Sequence, residues 1–225
     1  MSLALVRLLQ LASPALPVGA YSYSQGLESA CEAKIICDKD SARRWVNDVL
    51  QFTIATMEAP IVARLYHAWQ SEDLKAASYW NQYFLASRES AELRAETEQM
   101  GYSLAKLLVD GKFCELAQVA TLTGLQPKSF PAAFSFAAVS FSVSIEEALT
   151  AYLWSWLENQ VIAAVKLAPL GQVAGQSLLF DLGQDIPSLV QRALRLADDE
   201  LCNFSPGLAI LSGQHETQYS RLFRS

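Results

Sequence analysis

The chain has 225 residues, with 17 Lys and Arg against 23 Asp and Glu and a formal charge of −6. Apolar residues make up 52% and charged residues 18%, which excludes a disordered chain, because burial on this scale offsets the entropy of ordering. The acidic balance gives no general attraction to phosphates, so nucleic acid is not an expected partner.

Helical periods dominate, and no alternating strand pair or hairpin is found. Ser2 is placed to cap a first helix that ends near Leu11, before Pro14 and Pro17-Val18-Gly19. A short helix is predicted over 24–34. Asp40 or Ser41 then caps a helix whose apolar stripe is Trp45, Val49, Phe52 and Thr56. Pro60 suits the first turn of the next helix, which runs through Trp69. Amphipathic helices follow over 74–86, 90–109 and 113–122, with Gly111 and Gly124 as stop signals. The run 132–145 reads as a buried apolar helix. Ser144-Ile145-Glu146-Glu147 is a capping box that opens a long apolar helix to Leu167. Two more helices are expected, over 172–182 and 187–201. The fold class is therefore all-α: one compact domain of about ten helices over 1–202, around the long apolar helix, with a C-terminal tail over 203–225.

The strongest apolar stretch, 148–168, is interrupted by Glu158, Asn159, Gln160 and Lys166, too polar for a membrane span. The apolar start carries its one cation, Arg7, inside the run, unlike a signal peptide. Four scattered cysteines form no Cys-x-x-Cys pair, so reduced thiols and a cytoplasmic location are expected. Scarce charge on an apolar chain favours covered surfaces, and a homodimer is the simplest cover.

Catalytic signatures are missing. The chain has two histidines, and His215-Glu216-Thr217-Gln218-Tyr219 has Tyr where a zinc-protease helix needs its second imidazole. There is no phosphate-binding glycine loop and no nucleophile elbow. Glu89, Glu92, Glu96 and Glu98, alternating with Arg88 and Arg94, read as a solvated salt-bridged face. No metal and no cofactor is expected.

Three stretches carry more polar specificity than packing requires. Residues 13–28 join prolines and glycines to Tyr21, Tyr23, Gln25 and Glu28; they read equally as an elaborate helix connection or as a preorganised partner patch. Residues 154–166 set Glu158, Asn159, Gln160 and Lys166 in an apolar helix. There the polar residues need partners, and Lys166 at the helix end suits an exposed contact. Residues 213–225 mix Tyr219, Leu222 and Phe223 with His215, Glu216, Arg221 and Arg224, the composition of an interface segment, expected to be mobile until it docks.

The stretches LLQLASPALPVGAYSYSQGLE (8–28), SRESAELRAETEQMG (87–101), AYLWSWLENQVIAAVKLAPLGQVAGQ (151–176) and HETQYSRLFRS (215–225) resemble the UreF family of urease accessory proteins. Ser135 and Ser177 depart from the Gly and Arg of the family pattern. The resemblance implies an all-helical, dimeric, non-catalytic adaptor. Its implied partners are a UreD/UreH-type accessory protein, a UreG-type GTPase and apo-urease, to which nickel is delivered. It makes Tyr21, Tyr23, Gln25, Glu28, Lys166, Gln172, His215, Glu216, Tyr219, Arg221, Phe223 and Arg224 the candidate partner-binding residues. Two other classes stay open on the residues alone: an enzyme with a buried small-molecule site among its helices, and a peripheral membrane or cytoskeletal scaffold.

Overall fold

A computed structural model describes residues 3–224, and over these the chain is helical with no strand. The expected cap Ser2 lies outside the described residues. The elements are α1 (Leu3–Leu11), α2 (Leu27–Glu32), α3 (Lys39–Val49), α4 (Ala59–Gln70), α5 (Leu74–Ala86) and α6 (Ala91–Asp110). They continue with α7 (Leu116–Gly124), α8 (Phe130–Ser140), α9 (Ile145–Leu167), α10 (Gln172–Gly183), α11 (Ile186–Arg195) and α12 (Pro206–His215).

The long helix α9 runs through the centre and packs against α1, α2, α3, α4, α8, α10 and α11. Its capping box forms as the sequence predicts: Ser144 Oγ accepts from Glu147 N–H, and the Glu147 carboxylate returns to Ser144 N–H. Helix α8 is buried from Pro131 to Ala138. Its alanines let α4 and α6 approach closely. Gly101 on α6 meets the loop before α8 so tightly that a Cβ would come within 2.3 Å of the Lys128 carbonyl oxygen. Buried Asn81 holds that loop, donating to Pro127 O at 2.8 Å and accepting from Ser129 N–H at 2.8 Å.

Three local expectations are corrected. The cap of α3 is Asp38, which accepts from Ser41 N–H at 2.8 Å while Ser41 Oγ accepts from Asp38 N–H. Between α3 and α4 the chain does not break: Leu50–Glu58 is π-helical. A π turn holds more residues than an α turn, so the α-periodic stripe fails at Phe52, which is 53% exposed while Thr53 and Ile54 turn inward. Pro60 has no N–H to give to the carbonyl one turn back. Thr56 O instead accepts from Cys202 N–H at 3.2 Å, and Thr56 Oγ1 donates to Cys202 O at 2.7 Å. This double tie pins the segment that leads to α12.

The third correction concerns the C-terminal segment, whose sequence gave only weak helical periodicity. Residues 206–215 form α12, packed on α2 and α6, and Phe223 beyond it is buried within the same chain.

Candidate functional site

The three polar stretches, far apart in sequence, meet on one side of the molecule. After Gly19, residues Ala20–Ser22 make a single 3-10 turn, and Gln25 and Gly26 take left-handed backbone at φ 52° and 76°. That conformation is natural for Gly26 and strained for Gln25, at a cost of about 1 kcal/mol or more. It turns the chain into α2 and aims the Gln25 amide sideways: Nε2 donates to Glu96 Oε1 at 2.8 Å and Oε1 accepts from Trp156 Nε1–H at 2.7 Å. Asn159 Nδ2 donates to Tyr23 O at 3.2 Å, the internal polar network expected of that residue.

Glu28, at the start of α2, is the organising acid. It accepts from the backbone N–H groups of Leu222 at 2.7 Å and Phe223 at 2.9 Å, and lies 3.2 Å from His215 Nε2. The other ring nitrogen, Nδ1, is 2.7 Å from Glu92 Oε2. Ionised carboxylates only accept, so both contacts are hydrogen bonds when the ring is an imidazolium. His215 is 0% exposed, and Arg221 Nη1 closes the cluster on Glu92 at 2.8 Å. Ala91 N–H donates to Glu216 at 2.9 Å, Ser29 Oγ to Gln218 at 3.0 Å, and Arg224 N–H to Ser22 O at 2.8 Å. Residues 215–224 are thus fastened across α2 and the start of α6. Buried Tyr23 has its phenol pKa raised, by burial first and then by Glu96, against the opposing hydrogen bond from Arg224.

Of the candidate residues, Tyr23, Glu28, His215 and Phe223 are buried and act within the chain. Gln25 is half-buried in the amide bridge. Tyr21, Glu216, Tyr219, Arg221 and Arg224 are exposed around them. Lys166, exposed at the end of α9, sits with Nζ 5.6 Å from the centre of the Phe223 ring. Gln172 is exposed at the start of α10 and makes no hydrogen bond to this group among the described residues.

Beneath this face lies a second cluster. Arg88 Nη1 pairs with Glu58 Oε1 at 2.7 Å, with side chains only 5% and 8% exposed. Tyr152 Oη donates to the other Glu58 oxygen at 2.8 Å. Burial, and then the Glu58 charge, raises the Tyr152 phenol well above its ordinary pKa. Arg88 also lies over the Phe84 ring at 4.1 Å. Together with the 11–25 connector these groups line a cavity of about 100 Å³.

The solvated face expected over 88–98 is therefore corrected. Arg94 and Glu98 do pair on the surface at 3.0 Å, but Arg88 and Glu96 are turned inward and Glu92 is given to His215. Sequence reasoning missed Glu58 and Tyr152. The available signal was one acid, Glu58, alone in the apolar run 54–63, which has to find a buried partner.

Among the described residues no three His, Cys, Asp or Glu side chains gather as a metal-ligand set, and no helix is long and apolar enough to cross a membrane. The family profile described as UreF matches residues 36–183. The chain belongs to the UreF family. The urease accessory protein UreF of Azoarcus sp. (strain BH72) is 56% identical over 225 residues, covering 99% of this chain and 96% of that protein. Those of Dechloromonas aromatica (strain RCB) and Methylobacillus flagellatus are 54% and 50% identical, the first covering 99% of this chain and 98% of that protein, the second 100% and 99%. Ser135 is buried and accepts from Trp69 Nε1–H at 3.2 Å, and Ser177 accepts from Lys39 Nζ at 2.8 Å.

Proposed function

We propose that this chain serves urease maturation as a non-catalytic adaptor in the cytoplasm. It joins, as a homodimer, a UreD/UreH-type accessory protein to a UreG-type GTPase, and the assembly presents nickel to apo-urease. Family membership supports the maturation role. The observation that carries the adaptor reading is the fastened C-terminal segment: its backbone and Phe223 are held inward by Glu28, while Tyr219 stands exposed before Arg221 and Leu222 stands exposed between Arg221 and Arg224. An exposed aromatic and an exposed aliphatic side chain beside arginines have the composition of an interface hot spot, and the backbone already held at Leu222 and Phe223 has less conformational freedom to lose on binding.

On this reading Tyr21, Tyr219, Leu222 and Arg224 contact the UreD/UreH-type partner, and Lys166 is a contact for another protein. Glu28, His215 and Phe223 position the segment. The test is co-purification and urease activation in cells carrying the urease gene set, with a Tyr219→Ala/Leu222→Ala double variant. Loss of the UreD/UreH-type protein from the complex, with an unchanged melting temperature, is expected. Undiminished capture and activation would overturn the assignment of this face.

A further inference from the structure

Away from the clusters around Glu28 and Glu58, the fold buries a lysine that the adaptor reading does not use. Lys128 is only 5% exposed, whereas Lys34, Lys75, Lys106, Lys112 and Lys166 are exposed and Lys39 is half-buried. Its loop is clamped on both sides. Asn81 donates to Pro127 O and accepts from Ser129 N–H, each at 2.8 Å, and Phe130 N–H donates to Thr97 Oγ1 at 2.9 Å. The Lys128 carbonyl lies against Gly101, where a Cβ would not fit. Nζ forms no hydrogen bond or ion pair among the described residues, yet it is not fully buried, so the tip meets water while the stem does not.

Three features weigh against an ammonium at this place. Burial of the stem strips water from the charge. No carboxylate pairs with it among the described residues. The residue also stands directly before Ser129, the N-cap of α8, and the N-terminal end of a helix is positive. Burial, with no acid to oppose it, accordingly lowers the Lys128 amine below the ordinary lysine range. A larger share is therefore neutral than on an exposed lysine, and the neutral amine is the nucleophile.

The surroundings select the product. A protonated imine would keep the unwanted positive charge. An anionic adduct would need N–H donors, and those of the first turn of α8 are taken: Phe130 N–H by Thr97, Ala132 N–H by Ser129 Oγ and Ala133 N–H by Ser129 O, while Pro131 has none. A neutral amide removes the charge and asks for no counter-ion.

We propose that Lys128 is a site of Nε-acylation that takes a small acyl group from an acyl thioester. The Nζ lone pair attacks the thioester carbonyl carbon, the N–C bond forms, and the C–S bond breaks with its electron pair leaving on sulfur. The proton lost by nitrogen goes to the departing thiolate or to water. The proposal stands or falls independently of the role in urease maturation.

The test gives the full-length protein a limiting amount of S-acetyl-N-acetylcysteamine near neutral pH. Hydroxylamine then removes acetyl groups carried on thiols, and peptide masses locate the rest. Lys128 should be acetylated first, severalfold faster than the far more exposed Lys34 and Lys75. Lys106, whose ammonium is held by Asp110 at 2.6 Å, should be slowest. The preference should vanish when the protein is denatured before labelling, and the acetylated protein should melt no lower than the untreated one. Labelling of Lys34 or Lys75 ahead of Lys128, equal rates at all three, a preference that survives denaturation, or a clear fall in melting temperature on acetylation would overturn the proposal.

Discussion

The two charged clusters contain similar residues and do different work. Around Glu58 the ions sit in the core: Arg88 comes from the short connection between α5 and α6, and α9 lends Tyr152. Around Glu28 the ions reach towards the surface at Arg221, and Glu28 itself holds two backbone N–H groups of the last ten residues, those of Leu222 and Phe223. A charge buried between helices secures the fold as a whole. A charge that grips backbone N–H groups secures one segment and leaves the rest of the fold indifferent to it.

That contrast can be broken in decreasing steps. The largest effect should come from Arg88→Met, which leaves Glu58 buried without its cation and should cost about 3–5 kcal/mol in global unfolding. Glu58→Gln combined with Arg88→Met should recover a large part of that loss, which denaturant titration of the four proteins would measure. His215→Ala should cost less, about 1–3 kcal/mol, and the loss should be local. Amide exchange and proteolysis should accelerate over 216–224 while α8 and α9 keep their protection. If His215→Ala unfolds the whole chain at the same rate as Arg88→Met, the two clusters are not separable.

Smaller still are the pH effects. The caps of Ser144 hold the Glu147 carboxyl below its ordinary pKa through hydrogen bonds from the Ser144 side chain and backbone. Its contribution is therefore complete above the ordinary carboxyl range near about 4 and disappears as pH falls through the depressed value. Glu158 has the opposite sign: its raised pKa means that its charge costs stability above that value, and the cost is relieved as pH falls through it. At neutral pH Glu147→Gln should lower stability and Glu158→Gln should raise it, each by no more than about 1 kcal/mol. Lys166→Ala should be the mildest change, about 0.5 kcal/mol from the lost contact over Phe223, measurable only as faster exchange near residue 223.

The helical class, the long central helix and its capping box were legible because they rest on local rules: period, cap and stop. The π-helical stretch was not, since nothing in the period of 45–56 reveals that Pro60 and a distant Cys202 will share the bookkeeping of one carbonyl. The face was legible in part. The same composition marked 13–28, 154–166 and 213–225, yet the sequence could not say that Glu28 and His215 would spend themselves on each other. Arg88 and Glu96 were misread because acids and bases at helical spacing look alike whether they face water or a cavity. What separates them is the neighbour across the helix, and that neighbour, Glu58 or Gln25, lies 30 and 71 residues away.

The tie between Thr56 and Cys202 also makes the protein its own spectroscopic ruler. Cys202 has a pinned backbone and an exposed side chain, and Cys37 is exposed just before the cap of α3. The other two thiols are shielded: burial pushes Cys31 up to about 11 and raises Cys114 as well. Thiolate chemistry near neutral pH should therefore label positions 37 and 202 of the unaltered chain first. A pair of nitroxides or dyes there would report distances from a fixed frame, against which any movement of the last ten residues on meeting another protein could be read.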